Sequence, residues 1–157
     1  MADTWLQILT LVAVLGTGMM AGLFFVFSAF MMTALARLPA ARGMAAMQAI
    51  NIAILNPAFL ALFLGTALLC LGLVIGALAA GTSTLAAAGG LAYLVGAIGI
   101  TAACNVPRNN ALARLAPDDP DSAEPWSRYL SGWTAWNHVR TAACLLAAAL
   151  IGASLLV

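Results

Sequence analysis

The sequence predicts an all-α integral membrane protein: a bundle of four transmembrane helices with a short interfacial amphipathic helix before the fourth. Three observations carry this. Of the 157 residues, 64% are hydrophobic and only 7% charged, with a mean hydropathy of +1.06. Soluble domains carry charge at about 25% of positions. Apolar runs of the roughly 20 residues that a bilayer demands occur four times. No alternation of period two, broken by turns, appears, which argues against a β-barrel.

The first run extends from Leu6 to Leu35. It is longer than the hydrocarbon core requires, so it tilts or projects. The N-terminus lacks a basic region and the run exceeds a signal peptide, so it is expected to stay in the membrane. The second run covers Ile52 to Ala80, with Pro57 near its start, and the third covers Leu85 to Cys104, stopped by Asn105 and Pro107. A turn-rich stretch, Pro117-Asp118-Asp119-Pro120-Asp121, follows. Trp126, Tyr129, Leu130 and Trp133 then recur at i, i+3, i+4 and i+7, the spacing of a short helix lying on the interface. Pro125 suits its first turn. The fourth run starts near Trp136 and ends at Val157, so residues 1–157 read as one domain. The pairs Gly18/Gly22 and Gly72/Gly76 predict close helix approach, because small residues let backbones meet in lipid.

Formal net charge is +1, and every positive charge is an arginine, so no basic field recruits nucleic acid. Arg37 and Arg42 follow the first run, and Arg108, Arg114 and Arg128 follow the third. Cytoplasmic loops hold the excess of arginine. The rule places both termini outside a plasma membrane. Cys70, Cys104 and Cys144 lie in apolar runs and suggest small packing residues rather than disulfides. The bilayer is the expected partner, and a homo-oligomer is compatible with the pattern.

Polar residues gather at one end of every run. Ser28 and Thr33 lie there on the first, Gln48, Asn51 and Asn56 on the second, Thr101, Asn105 and Asn109 on the third. Asn137, His138, Arg140 and Thr141 lie there on the fourth. Polar groups in a membrane are functional candidates unless they only satisfy one another. Trp133, Asn137, Arg140 and Cys144 follow i, i+4, i+7 and i+11, one stripe of a helix. His138, the only histidine, lies about 100° round from it. Facing inward, these groups predict a pocket open toward the cytoplasmic leaflet. Plainer roles compete: Asn105 as a helix cap, Asn109 as a loop residue, Arg140 reaching to phosphates, Trp133 and Trp136 as interfacial anchors. No CxxC, HxxxH or intramembrane carboxylate supports a metal site or a Ser-His-Asp triad.

Four strings also resemble the anthrone oxygenase-like family of small four-helix membrane proteins. They are Gly18-Met-Met-Ala-Gly22-Leu-Phe-Phe-Val-Phe-Ser28, Met47-Gln48-Ala-Ile-Asn51, Asn105-Val-Pro-Arg-Asn109 and Trp133-Thr-Ala-Trp-Asn-His-Val-Arg140. The resemblance implies oxidation of a polyketide anthrone to the anthraquinone by molecular oxygen, with no flavin or metal cofactor. The matched positions are Gln48, Asn51, Asn105, Asn109, Trp136, Asn137, His138 and Arg140. On that reading His138 is the general base, tuned by burial. Asn105, Asn137 and Arg140 donate to the developing oxyanion. Gln48, Asn51, Asn109, Trp136 and Ser28 line the substrate site, with Phe24, Phe25 and Phe27 as further aromatic walls. Two alternatives use the same polar ends: a non-catalytic binder or transporter of a small lipophile, and an interaction subunit of a membrane complex.

Overall fold

The computed structural model describes residues 2–157, with side chains from Thr4 onward, and all regular structure among them is helical. The first rod is α1 (Ala2–Val26), a π-helical turn (Phe27–Met31) and α2 (Met32–Ala36). Helix α3 (Ala40–Ala53) folds back beneath it, and α4 (Pro57–Ala80) is the second rod. The third rod is α5 (Thr84–Tyr93), two π-helical turns (Leu94–Gly99 and Thr101–Asn105) and α6 (Val106–Leu112). After a short 3-10 turn at Pro120–Ser122, α7 (Ala123–Ala153) forms the fourth rod. Rods one and three each pack against both α4 and α7.

Among the described residues, three helices are long and apolar enough to cross a bilayer: Thr4–Ala36, Pro57–Ala80 and Thr84–Leu112. These make the chain a membrane protein. Local chemistry sets their ends. Asn56 caps α4 by accepting from the Phe59 amide at 3.0 Å, and Pro57 takes the first turn, where its missing N–H costs nothing. Gly81, with φ of 64°, closes α4 in the left-handed conformation that glycine adopts freely. Ser83 then caps α5 through the Ala86 amide.

Four expectations need correction. The second span begins at Pro57, not Ile52, because Ile52 belongs to α3. The stretch before it is no loop: Ala40, Ala41, Ala45, Ala46, Met44, Met47 and Gln48 are strong helix formers. Met44 and Met47 are buried against Trp126, Tyr129 and Trp133. The third rod passes through Asn105 and Pro107 to Leu112. Pro107 stands at the start of α6, straight after a wide turn, where the ladder is already shifted.

The interfacial helix does not exist as a separate element. Trp126, Tyr129 and Trp133 are buried and continue into one stripe with Asn137, Arg140, Cys144, Ala147 and Ile151 on a single α7. Their spacing marks a packed seam, and α2 and α3 supply its partner. The GxxxG pairs are also misread. A Cβ at Gly18, Gly22 or Gly72 would meet nothing within 4 Å. The close approaches lie elsewhere: at Gly16 against the Thr66 side chain, at Gly43 against the Leu35 carbonyl, and on the third rod. At Gly90 a Cβ would come within 2.7 Å of the Cys70 carbonyl, and at Gly89 within 2.9 Å of the Ala147 carbonyl.

Two apolar clusters result. One unites Met20, Phe24, Phe63, Cys70, Tyr93, Cys144 and Ile151 along the rods. The other gathers Met32, Leu35, Met44, Met47, Leu112, Trp126, Tyr129 and Trp133 at the α3 end. The main cavity opens where they meet.

Candidate functional site

A cavity of about 540 Å³ lies between the first rod, α3, α4, the third rod and α7. Its walls are mostly apolar, with Phe24, Phe27, Phe59, Phe63 and Trp133 supplying aromatic surface. Into it project Gln48, Asn51, Thr101, Asn105, Asn109, Asn110 and Arg140.

Arg140 dominates the electrostatics. It is 6% exposed, and no carboxylate lines the cavity among the described residues. Its Nη1 donates to Thr101 Oγ1 at 3.1 Å and its Nη2 to Asn137 Oδ1 at 2.5 Å. The guanidinium lies 4.1 Å from the Phe24 ring centroid and 5.1 Å from that of Trp133. Burying a charge costs several kcal/mol. Two hydrogen bonds to it return about 2 kcal/mol each, and the two ring faces about 1–2 kcal/mol more. The cation is thus held in place, with its charge uncompensated. Arg140 Nε and Asn105 Oδ1 are buried without a hydrogen-bond partner among the described residues.

Behind Arg140 lies a relay that aims it. Asn137 Nδ2 donates to the Phe24 carbonyl at 2.7 Å and to Ser28 Oγ at 2.8 Å. Thr141 donates to the Asn137 carbonyl, which leaves Ser28 to donate to Thr141 Oγ1 at 3.1 Å. A π-helical turn slips the backbone ladder by one residue, so a carbonyl nearby must find another donor. Phe24 and Ser28 flank the start of such a turn, and Thr101 and Asn105 bound another.

Next to Arg140 lies an amide and aromatic network. Asn109 Oδ1 accepts from Tyr129 Oη at 2.9 Å and from Trp133 Nε1 at 2.8 Å. Two donors fix the amide's orientation and leave Nδ2 as its free donor. Asn51 Nδ2 reaches Tyr129 Oη at 3.4 Å. Gln48 Nε2 donates to the carbonyls of Leu112 and Leu115, satisfying the end of α6. Asn105 Nδ2 crosses to the Trp133 carbonyl at 3.3 Å, so it ties two rods together rather than capping one.

The residues singled out from the sequence therefore separate. Arg140, Asn105, Asn109, Asn51 and Gln48 line the cavity. Asn137 and Ser28 stand one layer behind and hold Arg140. His138 and Trp136 do not line it. His138 is exposed, because one step along the helix from Asn137 turns it off the buried stripe. The expected burial of its imidazole is thus wrong, and the side chain stands off the cavity lining. Trp133, read as an anchor, takes the wall position expected of Trp136, which is only half-buried. Phe25 points outward, whereas Phe24 and Phe27 reach the cavity. Tyr129, Phe59 and Phe63 were missed as parts of the site. Tyr129's position on the Trp133–Asn137–Arg140 stripe was the available signal.

No curated protein and no solved structure matches the chain. Residues 47–150, which run from α3 through most of α7, match the family model described as anthrone oxygenase.

Proposed function

The chain belongs to the anthrone oxygenase family, and we propose that its cavity binds a flat, lipophilic aromatic of the anthrone type and oxidises it with molecular oxygen. One observation carries this reading: Arg140 is a buried cation facing an aromatic-walled cavity with no counter-ion among the described residues. A volume of about 540 Å³ suits a small aromatic ligand.

An anthrone becomes anionic by losing a benzylic proton, which passes to water at the Gln48–Asn110 end of the cavity. Its oxygen then carries negative charge, which Arg140 and the free Asn109 amide stabilise where water is largely excluded. The electron-rich carbon reduces oxygen and forms a C–O bond, and protonation gives a hydroperoxide. Loss of water, with the second benzylic hydrogen, leaves the new carbonyl. One anthrone and one O2 give one anthraquinone and one water. His138 has no part in these steps, and no bound cofactor is required by them.

We also place α7 across the bilayer as a fourth span, since α1 and α5 flank it. The arginine distribution then puts the Arg140 cavity toward the cytoplasmic side of a plasma membrane with both termini outside.

The test is oxygen uptake and quinone absorbance with the full chain in lipid nanodiscs supplied with an anthrone. Equal rates of oxygen loss and quinone gain are expected, and Arg140→Gln should lower kcat/KM by about 10²–10³. Uptake no faster than in protein-free bilayers, or an unimpaired Arg140→Gln, overturns the reading. Binding without uptake would mark a carrier of lipophiles instead, a second reading favoured by a cavity lining with no His or carboxylate among the described residues.

A further inference from the structure

The cavity has a side door. Four large apolar residues both line it and stand exposed: Ile52 at 77%, Leu55 at 65%, Leu64 at 51% and Val106 at 41%. A side chain can do both only at a rim. Helix α4 packs along α5 and Leu94–Gly99, with no comparable packing along Thr101–Asn105 or α6. Helix α6 packs on α3 and α7 instead, and Gln48 ties α3 to its end through the Leu112 and Leu115 carbonyls. The second and third rods therefore part at the level of the cavity, with Leu64 on one jamb and Val106 on the other. Both residues lie within segments apolar enough to cross a membrane.

The chemistry of the rim identifies what meets it. An opening onto water exposes polar side chains, because large apolar patches facing water are unfavourable. An apolar rim set within a membrane-spanning segment faces acyl chains. The polar groups, Arg140 and Asn105, lie at the buried end of the same space. We infer that the gap between Leu64 of α4 and Val106 of α6 is a lateral portal through which a lipid-dissolved aromatic enters from the bilayer. The inference rests on reading the cavity as a substrate site. A molecule arriving through it leaves the lipid without crossing water and meets the Arg140 charge only at the end of its path.

A portal residue raises or lowers the barrier in both directions and leaves the bound state alone. Stopped-flow binding of a hydroxyanthraquinone to the full chain in nanodiscs, read by quenching of tryptophan, tests this. Val106→Trp is expected to slow association and dissociation together by about tenfold with little change in Kd, and Leu64→Ala to speed both several-fold. At fixed total probe, added protein-free vesicles should slow association in proportion to the lipid they add. Rates unchanged by both variants, an effect confined to dissociation, or association that ignores added lipid would overturn the portal. Probe binding with these kinetics but no oxygen uptake removes the oxygenase reading and keeps the portal, whereas no binding by the unmodified chain removes both.

Discussion

The Tyr93 end and the Arg140 end of the molecule both bury polar side chains, but they settle them differently. Tyr93 donates to the Phe63 carbonyl at 3.0 Å, and Thr17 donates back to the Ala13 carbonyl of its own helix. Each donor has a local acceptor, and packing there is tight enough that Gly89 and Gly90 touch neighbouring backbone. At the other end, Arg140 Nε and Asn105 Oδ1 are buried without partners among the described residues, beside a cavity. Buried polar groups in native proteins are nearly always satisfied. One end settles its polar groups within the fold, and the other leaves two of them unpartnered among the described residues.

Substitutions at the two ends should break this contrast in order of size. Arg140→Gln comes first, with turnover reduced by two to three orders of magnitude while the helical circular dichroism spectrum is unchanged. Gly90→Val comes next and acts the opposite way. It drives a side chain against the Cys70 carbonyl, so thermal stability in detergent should fall by about 1–3 kcal/mol, with activity lost only as the fold is lost. Asn109→Leu removes the shared acceptor of Tyr129 and Trp133 and strands two donors. Ligand affinity measured by tryptophan quenching should weaken by about tenfold or more, since each stranded donor costs about 1–3 kcal/mol. Tyr93→Phe leaves the Phe63 carbonyl short of a donor, so it should lower stability by about 1 kcal/mol and leave kcat/KM intact. His138→Ala is the smallest: oxygen uptake within twofold of the unmodified chain. A large loss there would restore the imidazole to the reaction and contradict its exposed position.

The sequence made the Arg140 face of the site visible because helical phase is strict. Residues at Trp133, Asn137, Arg140 and Cys144 must share a face, and all are buried on it. That same phase turned His138 outward, so its chemistry made it attractive while its angle excluded it. The aromatic stripe from Trp126 to Trp133 was legible as a stripe, but not as a seam. Its partner, α3, lies some 80 residues earlier and is rich in alanine and methionine, and so shows only a weak apolar face. The glycine pairs failed for a related reason. A GxxxG spacing records that a face is small, and only the three-dimensional arrangement says whether anything lies against it. Nothing in Val106-Pro107 announced that the third rod continues past them, because the wide turn that makes room for the proline is a property of the hydrogen-bond ladder.

Those wide turns make the site depend on where the chain keeps its length. A π-helical turn is an α-helix holding one residue too many, taken up locally so that the helix beyond keeps its phase. Closing the turn at Phe27–Met31 or Thr101–Asn105 without removing a residue would rotate everything beyond by about 100°. On the first rod, Met32 and Leu35 would then swing out of the α3 cluster relative to Phe24. On the third, Asn109 would leave Tyr129 and Trp133 while Tyr93 stayed in place. A one-residue deletion inside either turn should therefore be borne better than the same deletion one turn away, where the rod has no spare residue to give up.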